Sequence, residues 1–268
     1  MLLAPLLFVS IAAALPAATL TDDDATEVET RGFLQSWTGT FNVGLNYADG
    51  NTDIRAASVD FDAERRVGDN RYIANAYWNY SKQKAADGGD FELTQRNAAA
   101  HLKYNRFFSE KTYGWVDAMV MTDELAMLDL RWTTGAGLGY QFIDLGVDED
   151  GKRVTKPGHV DNLRGEIGLT YFNEEFDDGM EDEFIAAQAM FELGMDLTGT
   201  MRFENKTTVF PSLEDADDVY GNATTRVKAD LTDSMFAQVQ WKFLYDNTPA
   251  AGAERTDNRV SLGLGWTF

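Results

Sequence analysis

Two histidines, His101 and His159, are the only imidazoles in this chain, and it contains no cysteine. Thiolate nucleophiles, disulfides and zinc–thiolate centres are therefore excluded. His101 lies in Ala100-His101-Leu102. A hydrolase would set such an imidazole against a hydroxyl and an orienting acid or amide. Ser58 and Asn97 are the residues predicted to share its face, although the sequence alone does not bring them together. The simpler reading of His101 is one polar side chain among many on a polar face. His159 has no evident partner. Asp148-Glu149-Asp150-Gly151 has the look of a calcium loop. With Gly151 counted as the sixth position, however, Gly146 stands first and Pro157 twelfth, where oxygen ligands are required. An acidic turn is the better reading. No glycine-rich loop opens a helix to cradle phosphate, and no cofactor or resident metal is expected.

Carboxylates dominate the remaining chemistry. Glu174–Glu183 (EEFDDGMEDE) carries seven acids and Glu214–Asp218 (EDADD) four. The plain reading is a solvated face. The sharper one is weak Ca²⁺ or Mg²⁺ binding that bridges these loops to lipopolysaccharide phosphates. Across 268 residues, 44 acidic and 23 basic side chains give a formal charge of −21. That balance excludes a generic nucleic-acid binder, which needs a basic face, and suits a saline habitat that screens self-repulsion.

These groups must be positioned by strands. In Trp37–Tyr47, Trp37, Gly39, Phe41, Val43, Leu45 and Tyr47 fall on one face and Thr38, Thr40, Asn42, Gly44 and Asn46 on the other. Such period-two alternation marks a strand with one apolar and one polar side. It recurs near 37–49, 53–66, 71–82, 93–107, 112–122, 128–142, 161–173, 184–195, 200–211, 219–231, 235–246 and 256–268, weakest at 53–66 and 200–211. Each segment reaches the ~9–11 residues that cross a bilayer as a tilted strand. Polar faces mix both signs: Asp129/Arg131, Arg164/Glu166, Arg202/Glu204/Lys206 and Arg226/Lys228/Asp230. Arg131 is followed by Gly135, Gly137 and Gly139, a mixture that suits a lumen. Tyr, Trp and Phe sit at strand ends, where interfacial girdles would lie. An all-β, transmembrane, antiparallel up-and-down β-barrel of about 12 strands is therefore expected, its lumen partly filled by those ten charges. A soluble periplasmic barrel with an apolar interior is the alternative.

Residues 1–18 read as a secretory signal peptide, uncharged and apolar with small residues at Ala14, Ala17 and Ala18. Residues 19–36 read as a flexible periplasmic N-terminus and 37–268 as the barrel. Twelve strands put both ends on the periplasmic side. Short connections near Val67–Asn70, Ser109–Lys111, Asp196–Gly199 and Thr232–Ser234 then face the periplasm, with Ile143–Val160 a long exception. The mostly longer alternate set, Gln83–Glu92, Asp123–Met127, Glu174–Glu183, Ser212–Asp218 and Asn247–Arg255, faces outward.

The region 37–268 resembles the salt-induced outer-membrane proteins, a bacterial family of undefined function. The resemblance rests on Gly50-Asn51-Thr52, on Arg131 followed by Gly135-x-Gly137-x-Gly139-Tyr140, and on Leu163-x-x-Glu166-x-Gly168-x-x-Tyr171-x-x-Glu174. The closing Gly263-Leu264-Gly265-Trp266-Thr267-Phe268 completes it. It implies a bacterial outer-membrane location, a link to salt response and no catalytic residues. Leu264, Trp266 and Phe268 resemble the C-terminal signal read by the barrel-assembly machinery. The expected partners are that machinery, outer-membrane lipid and lipopolysaccharide, with no nucleic acid. The expected function is non-enzymatic, a structural or narrow-pore envelope protein. The alternative from another class is a lipid-modifying hydrolase built on His101.

Overall fold

The computed structural model describes residues 37–49, 53–84, 89–145, 156–215, 217–249 and 254–268. The expected signal peptide and N-terminal segment, Gly50-Asn51-Thr52 and Asp148–Gly151 lie outside the described residues, as do parts of the loops around 85–88, 146–155, 216 and 250–253. All twelve alternating segments are strands: β1 Thr38–Ala48, β2 Asp53–Val67, β3 Asn70–Lys84, β4 Glu92–Phe107, β5 Thr112–Asp123 and β6 Leu128–Asp144, followed by β7 His159–Phe176, β8 Glu181–Asp196, β9 Met201–Pro211, β10 Val219–Asp230, β11 Met235–Asp246 and β12 Thr256–Thr267. Each pairs antiparallel with its sequence neighbours, and β12 pairs back onto β1, so the sheet closes into a barrel. Closure removes the free edges that an open sheet would expose.

Registers settle which face points where. Lys103 on β4 meets Glu166 on β7, and Asp60 on β2 meets Lys242 on β11. Those strands are not neighbours, so such contacts exist only through the interior. The polar face therefore points inward. Outward lie Val43, Leu45, Val59, Ala76, Ala100, Leu102, Val116, Val120, Leu138, Ile167, Leu169, Val239 and Leu262, most of them exposed. Two rings of aromatics bound this apolar belt. Around the rim that carries the chain ends, Phe61 stacks on Phe268, Tyr72 packs against Tyr104 and Tyr140 meets Phe142 edge to face. Around the opposite, loop rim, Trp78 stacks on Tyr80, while Trp132 packs against Tyr171 and Trp241 against Phe243 at a tilt. From Trp132 to Tyr140 the chain rises about 26 Å, or about 20 Å across a sheet tilted by ~40°, close to the ~25 Å apolar band of membrane barrels.

Local chemistry sets the turns at the terminal rim. Gly68 turns β2 into β3 with φ 55°, a left-handed conformation natural to glycine. Three other connections repeat one device. In each, a Ser or Thr at the second turn position accepts backbone N–H groups at the start of the next strand: Ser109 from Thr112, Thr198 from Met201 and Thr232 from Met235, each at 3.0 Å. A hydroxyl that caps the turn in this way replaces the missing ladder partner.

Two boundaries differ from the alternation pattern. The stretch Glu174–Glu183 is mostly strand, because β7 runs to Phe176 and β8 begins at Glu181. Only Asp177–Met180 forms the turn. Leu128, expected outward, is buried, because the β6–β7 ladder slips between Leu128 and Leu130.

Candidate functional site

The barrel interior is the site, and charge fills it. In the terminal half, the Lys103 ammonium meets the Glu166 carboxylate, which also accepts the Tyr113 hydroxyl at 2.9 Å. Lys103 lies 4.3 Å over the Trp115 ring. Arg164 donates to Glu192 at 2.7 Å and reaches Glu64 at 3.8 Å, while Asn162 donates to the other Glu192 oxygen at 2.8 Å. Arg71 on β3 donates to Gln141 on β6 at 3.0 Å, across the barrel. Nearer the rim, Arg202 is shared by Asp161, Asp196 and Glu204, and Lys228 also pairs with Glu204 at 2.9 Å.

A second layer crosses the middle. His101 contacts Asp117 through Nε2 at 3.1 Å and Asn75 through Nδ1 at 3.3 Å. Asn75 donates to Asp62 at 2.8 Å, and Asp62 pairs with Arg226 at 3.1 Å. Arg226 donates to Gln240 at 2.6 Å, while Lys242 binds Asp60 at 2.9 Å. Towards the loop rim, Arg131 donates to Glu174 at 2.6 Å, beside Phe172 stacked on Phe184. The most deeply buried of these, Lys103 with Glu166 and Arg131 with Glu174, persist only as pairs, because desolvation of a lone ion costs several kcal/mol.

Glycines shape this filling. Gly135, Gly137 and Gly139 face inward and leave room for aromatic rings rather than for a channel. A Cβ on Gly137 would come 2.7 Å from Trp115, one on Gly135 would come 3.0 Å from it, and one on Gly139 would fall on the Tyr113 ring. The β5 rings thus sit against the glycine stripe of β6 and take up part of the lumen on that side.

Of the ten charges singled out by pattern, Arg131, Arg164, Glu166, Arg202, Glu204, Arg226 and Lys228 join these ion pairs. Lys206 stands opposite Glu192 in the β8–β9 register. Asp129 and Asp230 are exposed at strand ends. Asp129 shares a hydrogen bond with Asp177 in the turn beyond β7, and this raises the Asp177 carboxyl above the usual aspartate range. The chain-terminal residues Leu264, Trp266 and Phe268 are exposed on the outer face, and Phe268 exchanges backbone hydrogen bonds with Gly39 at 3.1 and 3.0 Å. Pattern reading missed Asp60, Asp62, Asp161 and Glu192 as partners. It also placed Glu174 in a loop, although its parity with Glu166 carries it inward.

His101 is not assembled with Ser58 and Asn97. Ser58 is in register with Asn79 and Asn97, four residues along β2 from the row that holds Asp62, Asn75 and His101. Asn97 instead accepts from Asn79 and donates to Asp123. Both His101 ring nitrogens face oxygens of Asp117 and Asn75 rather than a serine or threonine hydroxyl. His159 opens β7 and contacts the Pro157 carbonyl at 3.2 Å. Among the described residues, no three acidic or histidine side chains converge as a metal site.

A closed antiparallel barrel, apolar outside and ion-paired inside, is a transmembrane β-barrel. Residues 41–268 match the family described as "Protein of unknown function, DUF481", and the chain belongs to that family. No curated protein matches it. Among solved structures, the NanC porin is similar at 9% identity and TM-score 0.48, over 85% of this chain and 100% of that one. The translocator domain of autotransporter NalP from Neisseria meningitidis is similar at 11% and 0.42, over 91% and 96%. The outer membrane channel DcaP of Acinetobacter baumannii is similar at 11% and 0.35, over 87% and 95%.

Proposed function

We propose that this protein is a non-catalytic barrel of the bacterial outer membrane, exported by the N-terminal signal and acting as a structural or narrowly conducting envelope component. One observation carries the reading: Lys103 and Tyr113 reach Glu166 across the lumen, Arg164 pairs with Glu192 on the adjacent strand, and among the described residues few charges are left there to attract and pass ions. The apolar belt between two aromatic girdles supports the membrane location. The exposed outer face of Leu264, Trp266 and Phe268 supports their reading by the barrel-assembly machinery. The family resemblance adds abundance that rises with external salt. The function is tested by planar-bilayer recording of refolded protein. Wild type is expected to show small or no conductance, and Lys103→Ala/Glu166→Ala to raise it by removing a pair that spans the interior. A large, steady, porin-sized conductance in the wild type overturns the proposal.

A further inference from the structure

The barrel is not sealed evenly around its circumference. β1 pairs with β2 up to Ala48 opposite Ile54, and β12 pairs with β11 up to Thr256 opposite Tyr245. Both strands therefore run on to the loop rim. Between them the ladder covers only Thr40–Val43 against Leu264–Thr267. Continued in register, it would add Gly44 to Gly263, Leu45 to Leu262 and Asn46 to Ser261. Gly44 still lies against the Leu262 backbone, whose carbonyl a Cβ there would approach to 2.9 Å, and above it the two strands part.

The parting lies within the apolar belt. Leu45 and Tyr47 on one side are 79% and 71% exposed, and Val260 and Leu262 on the other are both 69% exposed. Asn46, whose parity points it inward, is exposed too. Backbone groups left unpaired at membrane depth are costly, and such backbone is tolerated where it borders a polar cavity. The residues facing inward here are small: Gly44, Ser58, Ser261 and Gly263. Just below the slit, inside the paired part of the ladder, two buried acceptors have no donor. Asn42 Oδ1 and Asp60 Oδ2 belong to residues that are each 4% exposed and stand opposite one another on β1 and β2. A Cβ on Gly263 would come 2.7 Å from that same Asn42 oxygen, so only the missing glycine side chain separates β12 from it.

We propose that the β1–β12 slit is a lateral port through which a single-chain amphiphile places a hydroxyl-bearing head inside the barrel while its chain stays in the bilayer. The head must donate hydrogen bonds, because the orphaned groups just below the slit are oxygens. It carries no charge, because the Asp60 carboxylate is already matched by Lys242 at 2.9 Å. The chain lies against Leu45, Tyr47, Val260 and Leu262. This rests on the membrane reading above.

The native chain has no cysteine, so a reversible lock can be built. Asn46→Cys/Ser261→Cys pairs two inward positions that face each other only if the ladder closes. Refolded into phosphatidylcholine vesicles, the variant is photolabelled with a diazirine-bearing 1-monoacylglycerol or with the fatty acid of the same chain, and adducts are mapped by mass spectrometry. Labelling of Leu138 and Ile167 on the far belt reports membrane embedding, independently of the port. In the reduced protein, the monoacylglycerol is expected to label the Asn42–Ser58 and Gly263 segments at least about fivefold more than the fatty acid does. Oxidation removes that labelling, reduction restores it in the same folded sample, and Asn42→Leu weakens it with the port open. Labelling of those segments that is indifferent to the lock overturns the port. Equal labelling by the fatty acid overturns the assigned head.

Discussion

Lys103→Met isolates the energetics of the filled interior. The Lys103 and Glu166 side chains are 4% and 1% exposed. Removal of the ammonium leaves a buried carboxylate with the Tyr113 hydroxyl at 2.9 Å. Breaking one side of such a pair costs about 3–5 kcal/mol. Replacing the whole cluster behaves differently. In Lys103→Met/Tyr113→Phe/Glu166→Leu no charge or hydroxyl is left unmatched, and the volume is nearly kept. Apolar replacement of a complete buried pair is often neutral or stabilising, so the triple variant should stay within about 1 kcal/mol of wild type. Urea unfolding from vesicles, followed by tryptophan fluorescence and by the heat-dependent gel shift, reads this out. At an m-value of ~3 kcal/mol/M, the single variant should lose about 1–2 M in midpoint and the triple variant almost nothing. A single variant indistinguishable from wild type would mean that water reaches the pair and the interior is open. Costs that simply add would refute the pair as a unit.

Two further expectations follow from particular contacts. Gly139→Ala should cut the folded fraction on unboiled gels, because its Cβ meets only the Tyr113 ring, and Tyr113→Leu should recover part of that loss. Gly199→Ala, with nothing within 4 Å, should fold as wild type does, and equal losses at both glycines would refute the steric account. Asp177 should titrate above the usual aspartate range, and Asp129→Asn should bring it down, as seen by carboxyl NMR in detergent. Its folded-state value lies above the unfolded one, so its contribution to stability is full in acid and is lost as pH rises through the folded-state value. An unchanged Asp177 titration in the variant would exclude Asp129 as the cause.

The barrel was legible because each strand spends alternate residues on lipid and lumen. Even 53–66 and 200–211, where alternation is diluted, are strands, held by β1 and β3 on one side and by β8 and β10 on the other. Parity carried Arg131, Arg164, Glu166 and Lys228 into the interior. It failed at Leu128, where a register slip moves a residue to the other face, a displacement that the local pattern does not encode. Pairing was not legible either. Glu166 could have met any inward cation, and only the curvature of the closed sheet brings it to Lys103, three strands away. The glycines of β6 do face inward, as their alternation implies, but what covers them was not legible. Alternation does not show that Trp115 and Tyr113 on the next strand lie over them.

A lipid-facing belt around an interior filled by ion pairs and aromatic rings is the core of the account, and site-directed spin labelling tests both halves at once. Single cysteines carrying a nitroxide are placed at outward Thr134, Leu138 and Ile167 and at buried, inward Thr133, Thr170 and Gln188 in vesicles. Outward labels should collide readily with oxygen, which concentrates in lipid, and hardly at all with a water-soluble nickel chelate. Inward labels should be shielded from both. Nickel-accessible inward labels would contradict the filled interior, and nickel-accessible outward labels would contradict the membrane-spanning barrel itself.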